Sequence, residues 1–141
     1  MSAMSNAESL AFLAEGTHTG KLATTRADGR PHVTPIWFVL DGEDIIFTTG
    51  ASSVKGKSLA HDARAMLAVD EEVFPYSFVL VEGTVVLSED LDQLVLWSTR
   101  IAERYVPAGQ AEAYGKRNGV PGELLVRLTP TKIIGEKDIA L

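Results

Sequence analysis

Apolar residues between Gly20 and Lys57 fall in three short runs, broken by Asp28-Gly29 and Asp41-Gly42 and followed by a stretch of Gly, Ser and Lys. Asp-Gly between apolar runs favours a tight hairpin, because glycine accepts the positive φ that such turns demand. The pattern predicts an antiparallel meander of three strands, Lys21–Arg26, His32–Leu40 and Ile45–Thr49. Pro35 has no N–H to give a sheet ladder, so an irregularity is expected there. Ile36, Trp37, Phe38, Val39 and Leu40 are apolar at every position instead of alternate ones, which requires cover on both faces. In a short chain that cover is a helix or another subunit. The favoured arrangement is a closed or partly closed barrel whose outer face packs on a second copy, a homodimer.

Upstream, Ser5 and Glu8 form a capping-box pattern ahead of Leu10, Phe12 and Leu13, and Gly16 supplies a stop, so a helix of about three turns is expected. Downstream, Ser58–Arg64 reads as a short helix, Ala65–Asp70 as a fourth strand, Glu71–Tyr76 as a connection and Ser77–Leu87 as a fifth strand. Gly83 inside that strand marks a bulge or a close backbone contact. Ser88 reads as the N-cap of an amphipathic helix whose stripe runs through Leu91, Leu94, Val95, Ser98, Ile101, Ala102 and Tyr105 and which stops at Pro107. Residues 108–122 read as either a helical turn or two or a set of turns. Glu123–Leu128 is a sixth strand, resumed at Lys132–Ile134 after Thr129-Pro130. The fold class is α+β, mainly β, six antiparallel strands with flanking helices.

With 141 residues, 45% hydrophobic and 23% charged, the chain suits one domain spanning 1–141. The absence of cysteine excludes disulfide scaffolds, thiolate zinc sites and cysteine nucleophiles. No apolar run has the length of a membrane span and the first residues lack the pattern of a signal peptide, so a cytoplasmic protein is expected. A net charge of −6 argues against nucleic acid as a partner. The charge is uneven: residues 17–66 carry six basic and five acidic side chains, and residues 67–141 seven and twelve. Local Lys and Arg on an acidic protein suit a small anionic ligand.

Candidate chemistry gathers after the third strand. Thr48, Thr49, Ser52, Ser53, Lys55 and Lys57 place hydroxyls and ammonium groups beside a glycine-rich backbone, the donors a phosphate needs. Gly50 to Ser58 misses a nucleotide-binding P-loop by one residue, but tight turns make the flanking sheet antiparallel, which disfavours an NTPase. A solvated basic loop is the plain alternative. His18, His32 and His61 show no metal-ligand spacing, so no metal is expected. No Gly-x-Ser-x-Gly elbow carries a nucleophile. Trp97 at helical spacing reads as packing, while Trp37 and Tyr76 stay open as platforms for a planar ring.

Taken together, GKLATTRADGRPHVTPIWFVLDGEDIIFTT, the basic stretch through Lys57, HDARAMLAV and PYSFVLVEGTV resemble the split β-barrel flavin and deazaflavin oxidoreductases, relatives of pyridoxamine 5′-phosphate oxidase. Within them the chain is most similar to the small class that uses the deazaflavin coenzyme F420. The resemblance implies a homodimer with a cofactor between subunits. It implies that Pro35, Ile36 and Trp37 run beside the tricyclic ring, that Thr48, Thr49, Ser52, Ser53, Lys55 and Lys57 bind the phosphate, and that Tyr76 approaches the cofactor from the opposite strand. Arg127-Leu-Thr-Pro130 is similar to the R-L-x-P near the oxidase's end. No W-R-x-H-D-R-like segment is present to hold pyridoxal phosphate, and no catalytic side chain is named. The implied activity is hydride transfer from F420 to a small conjugated or heteroaromatic molecule, with FMN in its place or a non-catalytic flavin- or tetrapyrrole-binding module as the alternatives.

Overall fold

In the computed structural model, which describes residues 1–141, the strands are β1 (Ser2–Ala3), β2 (Gly20–Thr25), β3 (Pro31–Ile36), β4 (Val39–Asp41), β5 (Asp44–Gly50), β6 (Arg64–Asp70), β7 (Phe78–Ser88) and β8 (Glu123–Lys137). The helices are α1 (Asn6–Ala14), α2 (Val54–His61), α3 (Leu91–Tyr105) and α4 (Ala111–Asn118). All strands join one sheet in the order β3-β2-β6-β7-β8-β5-β4, with β1 on β8, and every pairing is antiparallel. The architecture is the expected mainly β, α+β one, with eight strands where six were expected.

The predicted meander is corrected in its middle. His32–Leu40 is not one strand but two, which part at Trp37-Phe38: β3 pairs with β2, β4 pairs with β5, and β3 and β4 form the two ends of the sheet. Because only two residues separate those ends along the chain, the sheet has to curl until they approach. No ladder joins them, so the barrel is split and the sheet is not closed. Pro35 itself lies in register opposite Lys21, on the edge strand where a missing N–H is tolerated.

The apolar run at 36–40 packs on both faces of the sheet, as its unbroken pattern requires. Ile36 and Phe38 are buried in the barrel, whereas Val39 packs on the other face against Ile46, Leu94, Trp97 and Leu125. Within the chain, the helix that covers the second face of this run at Val39 is α3, whose apolar stripe reaches it. Trp97 is buried there as packing, with the Arg100 guanidinium 4.7 Å from its ring centroid. The main core fills the barrel with Leu22, Phe38, Ile45, Phe47, Leu67, Val81, Val126 and Leu128 among its members.

Local signals explain the remaining boundaries. The capping box is present, with the Glu8 N–H donating to Ser5 Oγ and the Ser5 N–H to the Glu8 carboxylate, and Gly16 ends the helix region at φ 53°. The N-cap of α3 is Asp90, not Ser88, because the β7–β8 ladder continues through Ser88 opposite Leu125. Residues 111–118 are helical, and α4 lies so close to α3 that a Cβ on Gly115 would fall 1.9 Å from Thr99 Oγ1. β8 runs without interruption. The expected bulge takes up Thr131, since Gly83 faces Pro130 and Glu82 faces Lys132.

Candidate ligand cleft at the split of the barrel

The break between β3 and β4 is held from behind by the end of α3. The Tyr105 hydroxyl donates to His18 O at 2.6 Å and accepts from the Phe38 N–H at 3.3 Å. Arg104 donates to Phe38 O (2.8 Å), Gly16 O (2.8 Å), Leu13 O (2.7 Å) and Glu15 O (3.2 Å), so one guanidinium collects carbonyls at the end of α1 and at the strand break. It also lies 4.7 Å over the Phe38 ring. Burial pushes the Arg104 guanidinium down from its ordinary pKa and the Tyr105 phenol up. With Phe38 drawn into the core, alternation turns Trp37 outward. Trp37 is 43% exposed, and its indole stacks on the Tyr105 ring, with centroids 5.1 Å apart and planes 3° from parallel.

In front of this stack is a cleft of about 450 Å³. One wall is the end of β3, Pro35 and Ile36, with Trp37 just beyond it; Thr48 of β5 and Lys55 of α2 supply a polar side; Thr19, Ile101 and Asn118 complete it. Lys55 is partly buried and has no carboxylate within ion-pair distance. An unpaired cation, a hydroxyl and a helix N-terminus beside an aromatic platform form a donor set suited to a flat ligand that carries an anionic group. A larger concavity of about 540 Å³ lies between Thr25, Arg64, Met66 and Glu82, but Arg64 is paired with Asp62 at 2.8 Å and no aromatic ring lines it.

The structure brings five of the sequence-derived candidates together, Pro35, Ile36, Trp37, Thr48 and Lys55. The basic stretch is not a loop throughout. α2 starts at Val54 instead of Ser58 because Ser53 caps it, accepting from the Gly56 N–H at 3.0 Å and donating to Gly50 O at 2.7 Å. Thr49 is buried and hydrogen-bonded to Ser53 Oγ at 2.9 Å. Ser52 is exposed and does not line the cleft. Two residues apart on a helix is about 200° around the axis, so Lys57 turns away from Lys55 and lines a separate hollow of about 340 Å³ with Arg26 and Arg30. Tyr76 sits in the β6–β7 connection at φ 68°, edge-on to Phe74, outside the cleft of its own chain. Arg127 is held by Asp41 and Asp44 at 2.9 and 3.0 Å. Thr19, Ile101, Asn118, Arg104 and Tyr105 were not identified from sequence as site residues. The helical stripe marked Ile101 and Tyr105 as inward-facing without saying what they face.

The sequence matches the family model described as pyridoxamine 5′-phosphate oxidase over residues 6–136. The chain belongs to that family. No curated protein matches it. Among solved structures, this family member is similar to the conserved hypothetical protein Rv2991 from Mycobacterium tuberculosis, at 24% identity and TM-score 0.82 over 98% of this chain and 89% of that one. It is also similar to an F420 reductase, at 26% identity and TM-score 0.70 over 86% and 92%. A third likeness is to HutZ, the heme storage protein from Vibrio cholerae, at 20% identity and TM-score 0.71 over 91% and 92%. The first and third likenesses, below 25% identity, concern the fold alone. The pyridoxamine 5′-phosphate oxidase fold and a flavin-type site agree with the split barrel, and no helix is long and apolar enough to cross a membrane.

Proposed function

We propose that this protein is an oxidoreductase that uses coenzyme F420 to reduce a small conjugated or heteroaromatic molecule, working as a homodimer in the cytoplasm. The observation that carries the reading is the cleft itself, which an unpaired Lys55 and the exposed Trp37 line together. When bound, the reduced deazaflavin supplies the hydride. The chain's own contribution is to bind and orient. Lys55 and Thr48 hold the phosphate, the backbone of Pro35–Trp37 lines the ring, and Ile36, Trp37 and Ile101 keep water from one side. No side chain is assigned as a proton donor. The likeness to an F420 reductase supports the cofactor assignment over FMN.

The dimer is proposed on a different surface from the one suggested by residues 36–40. Val33, Met66, Ala68 and Leu80 lie on the outer face of β3, β6 and β7, and Val33 is 66% exposed, an apolar strip suited to a second copy. Tyr76 would then act from the partner. Fluorescence titration with F420 and with FMN in parallel, alongside sedimentation, tests the reading. Saturation with F420 by a dimer is the expected result. Saturation with FMN alone replaces the cofactor, and binding of either without oxidation of the reduced form across a panel of electron-poor acceptors leaves a holding module.

A further inference from the structure

His18, Glu15 and Glu71 come together at the foot of the barrel although they lie on two separate connections, the one between α1 and β2 and the one between β6 and β7. Their ligand atoms, an imidazole nitrogen and two carboxylate oxygens, all lie within 4.8 Å of one another. His18 Nε2 is buried with no hydrogen-bond partner, on a side chain only 19% exposed, and faces the Glu15 carboxylate at 3.9 Å. A buried imidazole nitrogen left unpaired is costly unless something occupies its lone pair or takes its proton.

The surroundings hold this group rather than neutralise it. The His18 ring stacks on Phe12, with centroids 4.9 Å apart and planes at 20°, and its carbonyl is fixed by the Tyr105 hydroxyl at 2.6 Å. The Glu71 N–H donates to Ser77 O at 3.1 Å. No Lys or Arg pairs with either carboxylate. The nearby Lys21 ammonium is taken by Asp70 and Thr19 O, and Arg104 reaches the Glu15 backbone oxygen. Metal–ligand bonds of roughly 2.0–2.2 Å set donor atoms about 3–4 Å apart, close to the 3.9 Å between His18 Nε2 and Glu15 Oε1 and within about an ångström of the 4.8 Å that bounds all three.

We propose that Glu15, His18 and Glu71 bind a divalent transition ion of the zinc class. One imidazole and two carboxylates without a thiolate suit Zn²⁺, Co²⁺ or Ni²⁺ better than Ca²⁺ or Cu⁺, and three protein ligands leave a position for water. The bound ion clamps the connection that precedes Thr19, a wall of the cleft, to the β6–β7 connection. This site is independent of the cofactor reading.

The test is calorimetric titration of the chelator-treated full chain with ZnCl₂ at neutral pH, without cofactor. One ion per chain is expected, with affinity lowered about tenfold or more in His18→Gln and in Glu71→Gln and unchanged in His61→Gln, which lies on α2. Thermal melts of the metal-free variants establish that they fold, and Glu71→Gln, on an accessible connection, decides the matter if His18→Gln does not. Absence of saturable binding, or equal affinity in all variants, overturns the site.

Discussion

Trp37 and Tyr105 stack face to face, 5.1 Å between centroids and 3° from parallel, so that the last residue of α3 supports the one aromatic platform in the cleft. The phenol ring sets the position of the indole, and the phenol hydroxyl pins the backbone beside it. The two contributions are separable. Tyr105→Phe keeps the stack and loses the hydroxyl bonds, at a cost of about 1–2 kcal/mol by urea denaturation. Tyr105→Leu also frees the indole. In a Trp97→Phe background, Trp37 emission should move to the red and become more accessible to a neutral quencher in the leucine variant but not in the phenylalanine variant. Identical emission in both would remove the platform argument.

Lys55 and Lys57 should differ in cofactor binding, because only Lys55 lines the cleft. Lys55→Ala is expected to weaken F420 or FMN by roughly 1.5–3 kcal/mol, the range for a hydrogen bond to a charged group. Lys57→Ala should change it by less than about 0.5 kcal/mol. Equal losses would mean that the phosphate lies elsewhere along α2.

Arg104 spends its donors on four backbone carbonyls and has no carboxylate partner. Lysine keeps the charge but lacks the planar fork. Arg104→Lys should therefore destabilise the fold by about 2–3 kcal/mol, read from the urea midpoint, and the added lability should concentrate in hydrogen exchange at the end of α1 and at residues 36–39. A uniform loss of protection would contradict the local clamp.

Acid should reveal the tie between α1 and the end of β8. The side-chain hydrogen bond from Lys137, helped by the Ser5 N–H, lowers the Glu8 carboxyl from an ordinary 4.5 to about 2. Folding thus depresses this pKa, so ionised Glu8 favours the folded state above 4.5, and its contribution fades as pH falls towards 2. Wild type should lose stability across that window, and Glu8→Gln should lose less. An equal or steeper acid dependence in the variant would show that other carboxylates govern it. Asp62, lowered to about 2 by Arg64, adds a background that both proteins share.

Short-range signals were legible wherever a side chain acts within a few residues of its own position. The Ser5 and Glu8 capping box, the turns at Gly29 and Gly42, the bulge beside Gly83 and the stripe of α3 all follow from local geometry. The ordered segments from Gly20 to Val85 were enough for the family. Only the tertiary structure decided how Pro35 to Leu40 is used. An unbroken apolar run does not say where a strand parts, and the parting at Trp37-Phe38 is set by Tyr105 and Arg104 from the far end of α3. Likewise the separation of Lys55 from Lys57 depends on where α2 begins, which Ser53 fixes by folding back on Gly50. The gathering of Glu15, His18 and Glu71 had no trace in spacing, because the barrel's curl brings two distant connections to one place.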